Sequence, residues 1–352
     1  MNILLEPFDL HGLKLKNRII MAPMTRSRAS ADNVPSTSLT PQYYAQRAGA
    51  GLIISEATAV SKQGCGYPNI PGLWNKEQVA AWKKTTEAVH KAGGKIFAQL
   101  FHTGRIAHST LTGSQPVSSG AKTAQGQVMA ADYSMKDYET PRVLDEKELP
   151  GVVEQFRAAV TNAKEAGFDG VEIHSANGYL LDQFLRDGTN TRKDSYGGAP
   201  ENRARLMLEV VRAAVEVFGA GRVGVRLSPV SDFNSMGDSN PSETFIKAAT
   251  LLNALPIAYL HVIEPATATP HVAGAMRKAY KGVFILNGGL NKESGEKIVK
   301  EATADLACYG VPYIANPDLA ERFQKNLPLA QADPATFYAG GEKGYVDYPK
   351  AA

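Results

Sequence analysis

The sequence has very few cysteines and no long apolar run. Its 352 residues include only two cysteines, Cys65 and Cys308, which is too few for a disulfide framework or a metal cluster and favours a reducing compartment. The N-terminus, MNILLEPFDLHG, has no basic segment leading into an apolar run, and no run reaches membrane-spanning length. We therefore expect a cytoplasmic protein with no membrane partner.

The sequence also lacks an excess of charge of either sign. Lys and Arg number 38 against 35 Asp and Glu, a formal net charge of +3. No block of basic residues is dense enough for a phosphate backbone, so nucleic acid is not an expected partner. With 43% hydrophobic residues the chain can bury a large core. Its length fits either two average domains or one large barrel.

Short apolar, β-branched runs alternate with amphipathic helical stretches along the whole chain. This alternation predicts a parallel sheet built from βα units, and eight such units predict a closed (β/α)8 TIM barrel. We interpret residues 1–352 as a single domain. The predicted strands span 18–23, 51–57, 95–102, 170–174, 223–229, 258–264, 282–289 and 305–310.

One connection is much longer than the others. Residues 104–150 lie between the third strand and the helix that follows it. A loop of that length inside a compact domain is usually functional. We expect it to form a cap over the barrel mouth, with hairpin structure of its own.

The chemistry of such barrels takes place at the C-terminal ends of the strands. Lys95 and Lys281 lie at strand beginnings, which weakens any mechanism through a lysine Schiff base. The polar residues at the predicted strand ends are Thr25, Glu56, Gln99, His102, His174, Arg226, Glu264 and Asn287.

Two groups of glycines invite a nucleotide-binding interpretation. GAGRVG, residues 219–224, matches G-x-G-x-x-G, but a helix precedes it and a strand follows, the reverse of the order that a dinucleotide site needs. We interpret it as a turn. Gly288, Gly289 and Gly310 follow the seventh and eighth strands, where they either donate backbone N–H groups to a phosphate or form ordinary turns.

The charged residues at the mouth leave other classes of site open. Arg226 needs an acceptor, either a carboxylate or the anionic ring of a cofactor. No H-x-H or H-E-x-x-H spacing occurs, so no metal site is predicted. A hydrolase or lyase would need two carboxylates across the mouth, for which Glu56 and Glu264 are candidates. Glu172 is expected to point away from His174 and to take no part.

Four segments resemble the Old Yellow Enzyme family of flavin-dependent ene-reductases. They are LKNRIIMAPMTR near the start, VEIHSANGYLLDQFL at 171–185, TNTRKDSYGGAPENRARL after it, and YIANPDLAERF near the end. Their order is that of the family, and the resemblance covers nearly the whole chain. It implies a reaction in which NADPH or NADH reduces a tightly bound, non-covalent FMN.

The resemblance implies a set of FMN-binding residues around the mouth. Thr25 would bond the flavin next to its reactive nitrogen, Gln99 would bind the pyrimidine edge, and Arg226 would stabilise the reduced ring. Many relatives have arginine where this chain has Val311, which predicts weaker phosphate binding. The other implied contacts are made by Pro23, Met24, Ala57, Gly288, Gly289 and Gly310.

The resemblance also implies the substrate-binding residues. His174 and Asn177 would both donate hydrogen bonds to the oxygen of an α,β-unsaturated carbonyl compound, maleimide or nitroalkene. Hydride from reduced FMN would reach the β-carbon, and Tyr179 would protonate the α-carbon. Tyr67 would cover the substrate, and Phe101 would shape the pocket where relatives often have tryptophan.

Two other functions remain open at this level. One is a flavin-independent barrel hydrolase or lyase that uses Glu56 and Glu264. The other is a flavin-binding barrel without catalytic activity. We expect a monomer or a weak homo-oligomer with small-molecule substrates.

Overall fold

The structure, a computed structural model, describes residues 2–351 and contains the predicted closed (β/α)8 barrel. The first and last residues of the predicted domain, 1 and 352, lie outside the described residues. All eight predicted barrel strands form. They are β1 (Ile19–Met21), β2 (Leu52–Ile54), β3 (Ile96–Phe101), β4 (Gly170–His174), β5 (Val223–Leu227), β6 (Tyr259–Ile263), β7 (Phe284–Asn287) and β8 (Leu306–Tyr309).

Each strand pairs in parallel with the next one along the chain, and β8 pairs back with β1 to close the barrel. The closing register aligns Cys308 with Ile20. On the side that carries the site, β3 and β4 align Gln99 with Glu172, and β4 and β5 align His174 with Arg226. Parallel pairing therefore brings these polar side chains to neighbouring positions of the barrel.

A helix follows each strand and packs outside the barrel. The second begins with a capping box in which Asn75 Oδ1 accepts from the backbone N–H of Gln78 at 2.9 Å. The helical region before β5 is divided at Ala204 into a short turn, Pro200–Arg203, and a longer helix. The eight helices are α1 (Leu39–Gln46), α2 (Lys76–Lys91), α3 (Leu149–Glu165), α4 (Arg205–Phe218), α5 (Pro241–Leu252), α6 (Ala273–Ala279), α7 (Lys292–Lys300) and α8 (Leu319–Lys325).

A short N-terminal hairpin, formed by Phe8–Leu10 and Leu13–Leu15, contributes to the lower core of the barrel. Its leucines join an apolar cluster with inward-facing residues such as Phe97 and Leu306. The side chain of His11 binds the carbonyl oxygen of Ala258 at 3.1 Å. Because this end is filled with apolar side chains, the polar groups of the barrel are concentrated towards the opposite, C-terminal end.

The first two glycines of GAGRVG form the predicted turn between α4 and β5. Gly219 ends the helix with φ of 104°, and Gly221 follows with φ of 70°. Gly224 lies within β5, where a Cβ atom would come within 2.2 Å of the Tyr259 ring. These glycines are therefore explained by chain geometry.

The long segment 104–150 contains a helical turn and short strands. An antiparallel hairpin pairs Gln127–Met129 with Met135–Asp137, and Val117–Ser118 pairs in parallel with Arg142–Val143. That this segment acts as a cap, and that the chain forms one domain, remain predictions. None of the helices in residues 2–351 has the length and apolar character needed to cross a membrane.

Candidate active site

The turn that leaves β4 holds two of the predicted site residues, Asn177 and Tyr179, in fixed positions. Asn177 and Gly178 are both left-handed, with φ of 58° and 78°, a conformation that asparagine and glycine tolerate best. The backbone N–H of Asn177 donates to Ser228 Oγ at 2.7 Å, and that of Gly178 donates to Asp182 Oδ2 at 2.9 Å. Tyr179 then starts the short helix Leu180–Leu185.

Tyr179 lies in an aromatic cluster with three other predicted residues. Its ring meets those of His174 and Phe101 edge-on, with centroids 5.0 Å and 5.1 Å apart. Its hydroxyl lies 3.2 Å from the hydroxyl of Tyr67. Burial raises the pKa of Tyr179 to about 12, so the phenol is protonated at neutral pH and available as a proton donor.

His174 is buried at the end of β4 and neutral at neutral pH. Burial first, and then the nearby charge of Arg226, lower the pKa of His174 to about 3. A neutral imidazole keeps one N–H donor and one acceptor nitrogen. Its Nδ1 has no hydrogen-bond partner within residues 2–351, so the ring retains capacity for a ligand.

Arg226 at the end of β5 has unused donors in a buried position. Its side chain is only 4% exposed, and Nη2 donates to Asn287 Oδ1 at 3.2 Å. Nε and Nη1 find no partner within the described part of the chain. A buried guanidinium with free N–H groups is costly unless it binds acceptor atoms, which suits an anionic or carbonyl-rich cofactor ring.

Gln99 and Glu172 form a polar network inside the barrel. Gln99 Nε2 donates to Glu172 Oε1 at 2.8 Å, and Glu172 Oε2 binds His261 Nδ1 at 2.8 Å. The expectation that Glu172 points away from His174 was therefore wrong. Residues two apart in a strand share a face, so both side chains point into the barrel.

The predicted phosphate-binding glycines lie at the ends of β7 and β8. Gly288 has φ of 151°, and a Cβ atom there would come within 2.1 Å of the Glu264 carbonyl oxygen. Gly289 has φ of 79°, and Gly310 directly precedes the short helix Val311–Ala315. Gly288 and Gly310 are half-buried, Gly289 is exposed, and Val311 is 55% exposed.

Residues after β1 and β2 complete the rim. Pro23, Met24 and Thr25 begin two positions after the end of β1, and Ala57 is a buried residue three positions after β2. Their backbone groups therefore lie at the C-terminal end of the barrel. Together with the unpaired Arg226 donors and the glycine turns, they fit a planar cofactor that carries a phosphate.

A cavity of about 760 Å³ opens above this rim. Of the predicted site residues, Thr25, Tyr67 and Tyr179 line it; within residues 2–351 the other predicted residues are not part of its lining. Sequence reasoning did not name the remaining walls. These include Val128, Met129, Met135 and Tyr138 from the long segment, Phe233 from the loop after β5, and Tyr338 near the C-terminus.

The C-terminal wall of the cavity is held by two arginines that follow β1. Arg26 Nη2 donates to the carbonyl oxygen of Gly344 at 2.7 Å. Arg28 Nη1 donates to that of Phe337 at 2.8 Å, and Arg28 Nη2 to that of Thr336 at 2.8 Å. The segment 336–344 is thus fastened to the barrel through its backbone.

The two carboxylates considered for a hydrolase are both engaged in structural contacts. Glu56 Oε2 accepts from the backbone N–H of Arg26 at 3.2 Å, and Glu56 Oε1 accepts from the hydroxyl of Tyr44 at 3.4 Å. Glu264 Oε1 accepts from the backbone N–H groups of Val272 and Ala273 at 2.8 Å and 2.9 Å. Neither carboxylate lines the cavity.

Fold and site together define a TIM-barrel enzyme whose reactive groups lie at the C-terminal mouth. Residues 3–330 match the NADH:flavin oxidoreductase / NADH oxidase family. The chain is 42% identical to 12-oxophytodienoate reductase 2 of Arabidopsis thaliana, over 98% of this chain and 95% of that protein. It is 43% identical to 12-oxophytodienoate reductase 7 of Oryza sativa subsp. japonica, over 98% and 94%.

Solved structures of similar sequence have the same fold. An Old Yellow Enzyme homologue from Zymomonas mobilis is 43% identical with a TM-score of 0.96, covering 98% of this chain and 99% of that one. Morphinone reductase, solved with tetrahydroNAD, is 46% identical with a TM-score of 0.95, covering 99% and 98%. The chain belongs to the Old Yellow Enzyme family. It is an NAD(P)H-dependent flavin oxidoreductase of the ene-reductase type, with FMN as its cofactor.

Proposed function

We propose that the protein reduces the C=C bond of small electron-poor alkenes: α,β-unsaturated aldehydes and ketones, maleimides and nitroalkenes. NADPH or NADH supplies the electrons, and bound FMN, once reduced, supplies the hydride that the β-carbon accepts. The observation that carries this proposal is the Tyr179 corner. A protonated phenol in the wall of the cavity packs directly against the neutral ring of His174.

His174 and Asn177 are proposed to hold and polarise the substrate. Each donates a hydrogen bond to the carbonyl or nitro oxygen, so the negative charge that develops there meets two fixed donors. His174 suits this role because its low pKa leaves a neutral ring with an N–H donor. Asn177 suits it because two flanking contacts fix its left-handed backbone: Ser228 accepts from its N–H, and Asn234 Nδ2 donates to its carbonyl oxygen at 2.7 Å.

Tyr179 is proposed to protonate the α-carbon. The proton leaves the phenol, and the resulting phenolate accepts a hydrogen bond from the Tyr67 hydroxyl, 3.2 Å away in the present structure. This hydrogen bond opposes the rise in the pKa of Tyr179 that burial causes. Tyr67 therefore both covers the cavity and assists the donor.

The proposed cofactor contacts follow from the donors and acceptors that the site leaves free. Arg226 would face the end of the ring that gains negative charge, and Gln99 the pyrimidine edge. Thr25 and the backbone of Pro23, Met24 and Ala57 would surround the ring. The turns at Gly288, Gly289 and Gly310, with the N–H of Val311, would receive the phosphate.

This function is tested by anaerobic titration of the purified protein with NADPH. A panel of activated alkenes is then added to the reduced protein. We expect yellow protein that bleaches with NADPH and regains its colour when an enone or maleimide is added. Yellow protein that does not bleach would instead be a flavin-binding barrel without catalytic activity. Colourless protein that releases no flavin on denaturation would refute the proposal, and a flavin-independent reaction would then have to be sought.

Titration with NADH in parallel shows which nicotinamide cofactor is preferred. Because nicotinamide and alkene would use the same cavity, each should inhibit competitively against the other. We further propose that the enzyme works in a reducing compartment, since Cys65 and Cys308 are both buried and unpaired. A monomer or weak homo-oligomer remains our expectation, which sedimentation analysis would test.

A further inference from the structure

One buried acid near the site has no part in the function proposed so far. Glu172 lies two residues before the end of β4, and both its side chain and that of His261 are completely buried. It is held at 2.8 Å on one side by Gln99 and at 2.8 Å on the other by His261. Its neighbour Gln99 is one of the residues assigned above to the cofactor.

The protonation of this network follows from its hydrogen bonds. Burial opposes ionisation of Glu172, but His261 and then Arg226 outweigh it and hold the pKa of Glu172 below its usual value. A carboxylate can only accept hydrogen bonds. His261 must therefore carry its proton on Nδ1, and Gln99 must turn its NH2 group towards Glu172.

This constraint fixes the direction of the Gln99 amide. With the NH2 group bound to Glu172, the carbonyl oxygen of Gln99 is the polar atom that remains for a ligand. An amide oxygen accepts hydrogen bonds, so it matches the imide N–H of a flavin pyrimidine edge. Without the carboxylate, neither orientation of the amide would be enforced.

Glu172 also affects the charge of the site. Arg226 aligns with His174 on one side and with His261 on the other, so its guanidinium belongs to the same face of the barrel wall as this network. A carboxylate and a guanidinium in a medium of low dielectric constant influence each other strongly. The positive charge that Arg226 offers to a reduced cofactor is therefore partly offset by Glu172.

We propose that Glu172 is a positioning residue for the flavin: it holds Gln99 with its carbonyl oxygen towards the pyrimidine edge, and its charge limits the stabilisation of reduced flavin by Arg226. The inference rests on the proposed assignment of Gln99 and Arg226 to FMN. The fold alone does not account for the carboxylate, because replacing buried ionic groups by well-packed apolar ones is often neutral or stabilising.

The test compares Glu172→Gln with wild type in the FMN-loaded protein. The variant keeps the shape and removes the charge, so the reduction midpoint potential of the flavin should become more positive. A tenfold stronger preference for reduced over oxidised FMN corresponds to about 30 mV for a two-electron couple. A potential equal to that of wild type, in a variant that still binds FMN, would overturn the proposal.

Two controls separate charge from general damage. Glu172→Asp keeps the charge, so its flavin potential should lie closer to that of wild type than the potential of Glu172→Gln does. Glu209→Gln removes a carboxylate from the outside of the barrel, where Glu209 accepts from Tyr196 Oη at 3.0 Å, and should leave the potential unchanged. An equal shift in Glu209→Gln would mean that remote charge alone accounts for the effect.

A measurement on the wild-type protein covers the case in which Glu172→Gln does not fold. FMN labelled with 15N at the imide nitrogen should show an N–H hydrogen-bonded to a carbonyl acceptor and protected from solvent exchange. An imide N–H that exchanges freely would refute the role of Gln99 and hence of Glu172. Failure of the proposed function looks different, since wild-type protein would then fail to bind FMN or to bleach with NADPH.

Discussion

Introducing arginine at position 311 should tighten FMN binding. Val311 is the first residue of the short helix after Gly310, and its side chain is 55% exposed. A charge-assisted hydrogen bond to a phosphate contributes about 1.5–3 kcal/mol. Because water screens a half-exposed pair, we expect about 1–1.5 kcal/mol here, which is roughly a tenfold lower dissociation constant.

The assay is a titration of apoprotein with FMN at low and at high salt, in which the quenching of flavin fluorescence reports binding. The gain from Val311→Arg should shrink at high salt, since ions screen the new pair. Val311→Met is the matched control, because it lengthens the side chain without charge and should leave affinity unchanged. A cation in the first helical turn costs about 0.3–1 kcal/mol, which thermal unfolding of the apoproteins would reveal separately.

An unchanged dissociation constant in Val311→Arg, with no dependence on salt, would refute the placement of the phosphate. It would mean that the glycine turns at 288–289 and 310 do not receive this group. An equal gain in Val311→Met would assign the effect to packing and likewise contradict the electrostatic reasoning.

Three further predictions concern the site and its support. Tyr179→Phe should slow flavin reoxidation by alkene about 10²-fold or more and spare flavin reduction by NADPH; stopped-flow rates equal to wild type would assign the proton to another donor. His174→Ala should weaken binding of phenol-like ligands about tenfold, measured by flavin absorbance, and full affinity would remove it from the oxygen-binding role. Burial raises the pKa of Glu56 from 4.5 to about 7, so the folded state holds this proton more tightly than the unfolded chain does. The free energy of unfolding should therefore fall by about 3 kcal/mol as pH rises from 4.5 through 7. Glu56→Gln should remove most of that slope in denaturant unfolding, and an unchanged slope would place the titrating group elsewhere.

The barrel could be predicted from the sequence because each of its units leaves a local pattern. Runs such as GVEIH at 170–174 are short, apolar and followed by turn residues, and the structure has a strand over the same five positions. The glycines of the turn at 219–221 also follow from local chemistry, since a helix precedes them and a strand follows. Local preference and global fold agree in these elements.

The interior network escaped prediction because its partners are distant in sequence. Glu172, Gln99 and His261 lie on three different strands, and only the closed barrel brings them together. A sequence shows that Glu172 shares a face with His174, yet it does not show which residues complete that layer. The orientation of Glu172 was nevertheless predictable, because residues two apart in a strand point to the same face.

The outer cavity was equally hard to foresee. Tyr138, Phe233 and Tyr338 come from separate loops with no periodic pattern. Their place in the cavity wall depends on the course of the segment 104–150, of the loop after β5 and of the C-terminal residues. Resemblance to a family indicated the inner residues, but it offered no means of placing these walls.

The way in which the segment 336–344 is fastened has a practical consequence for altering selectivity. Arg26 and Arg28 hold it through main-chain oxygens, so these hydrogen bonds do not require particular side chains. Only Gly340, Gly341 and Gly344, which have positive φ, must remain glycine. Tyr338 and Ala339 can therefore be randomised together while the loop keeps its course. A library confined to these few positions would change the shape offered to incoming alkenes and leave the reactive groups below untouched.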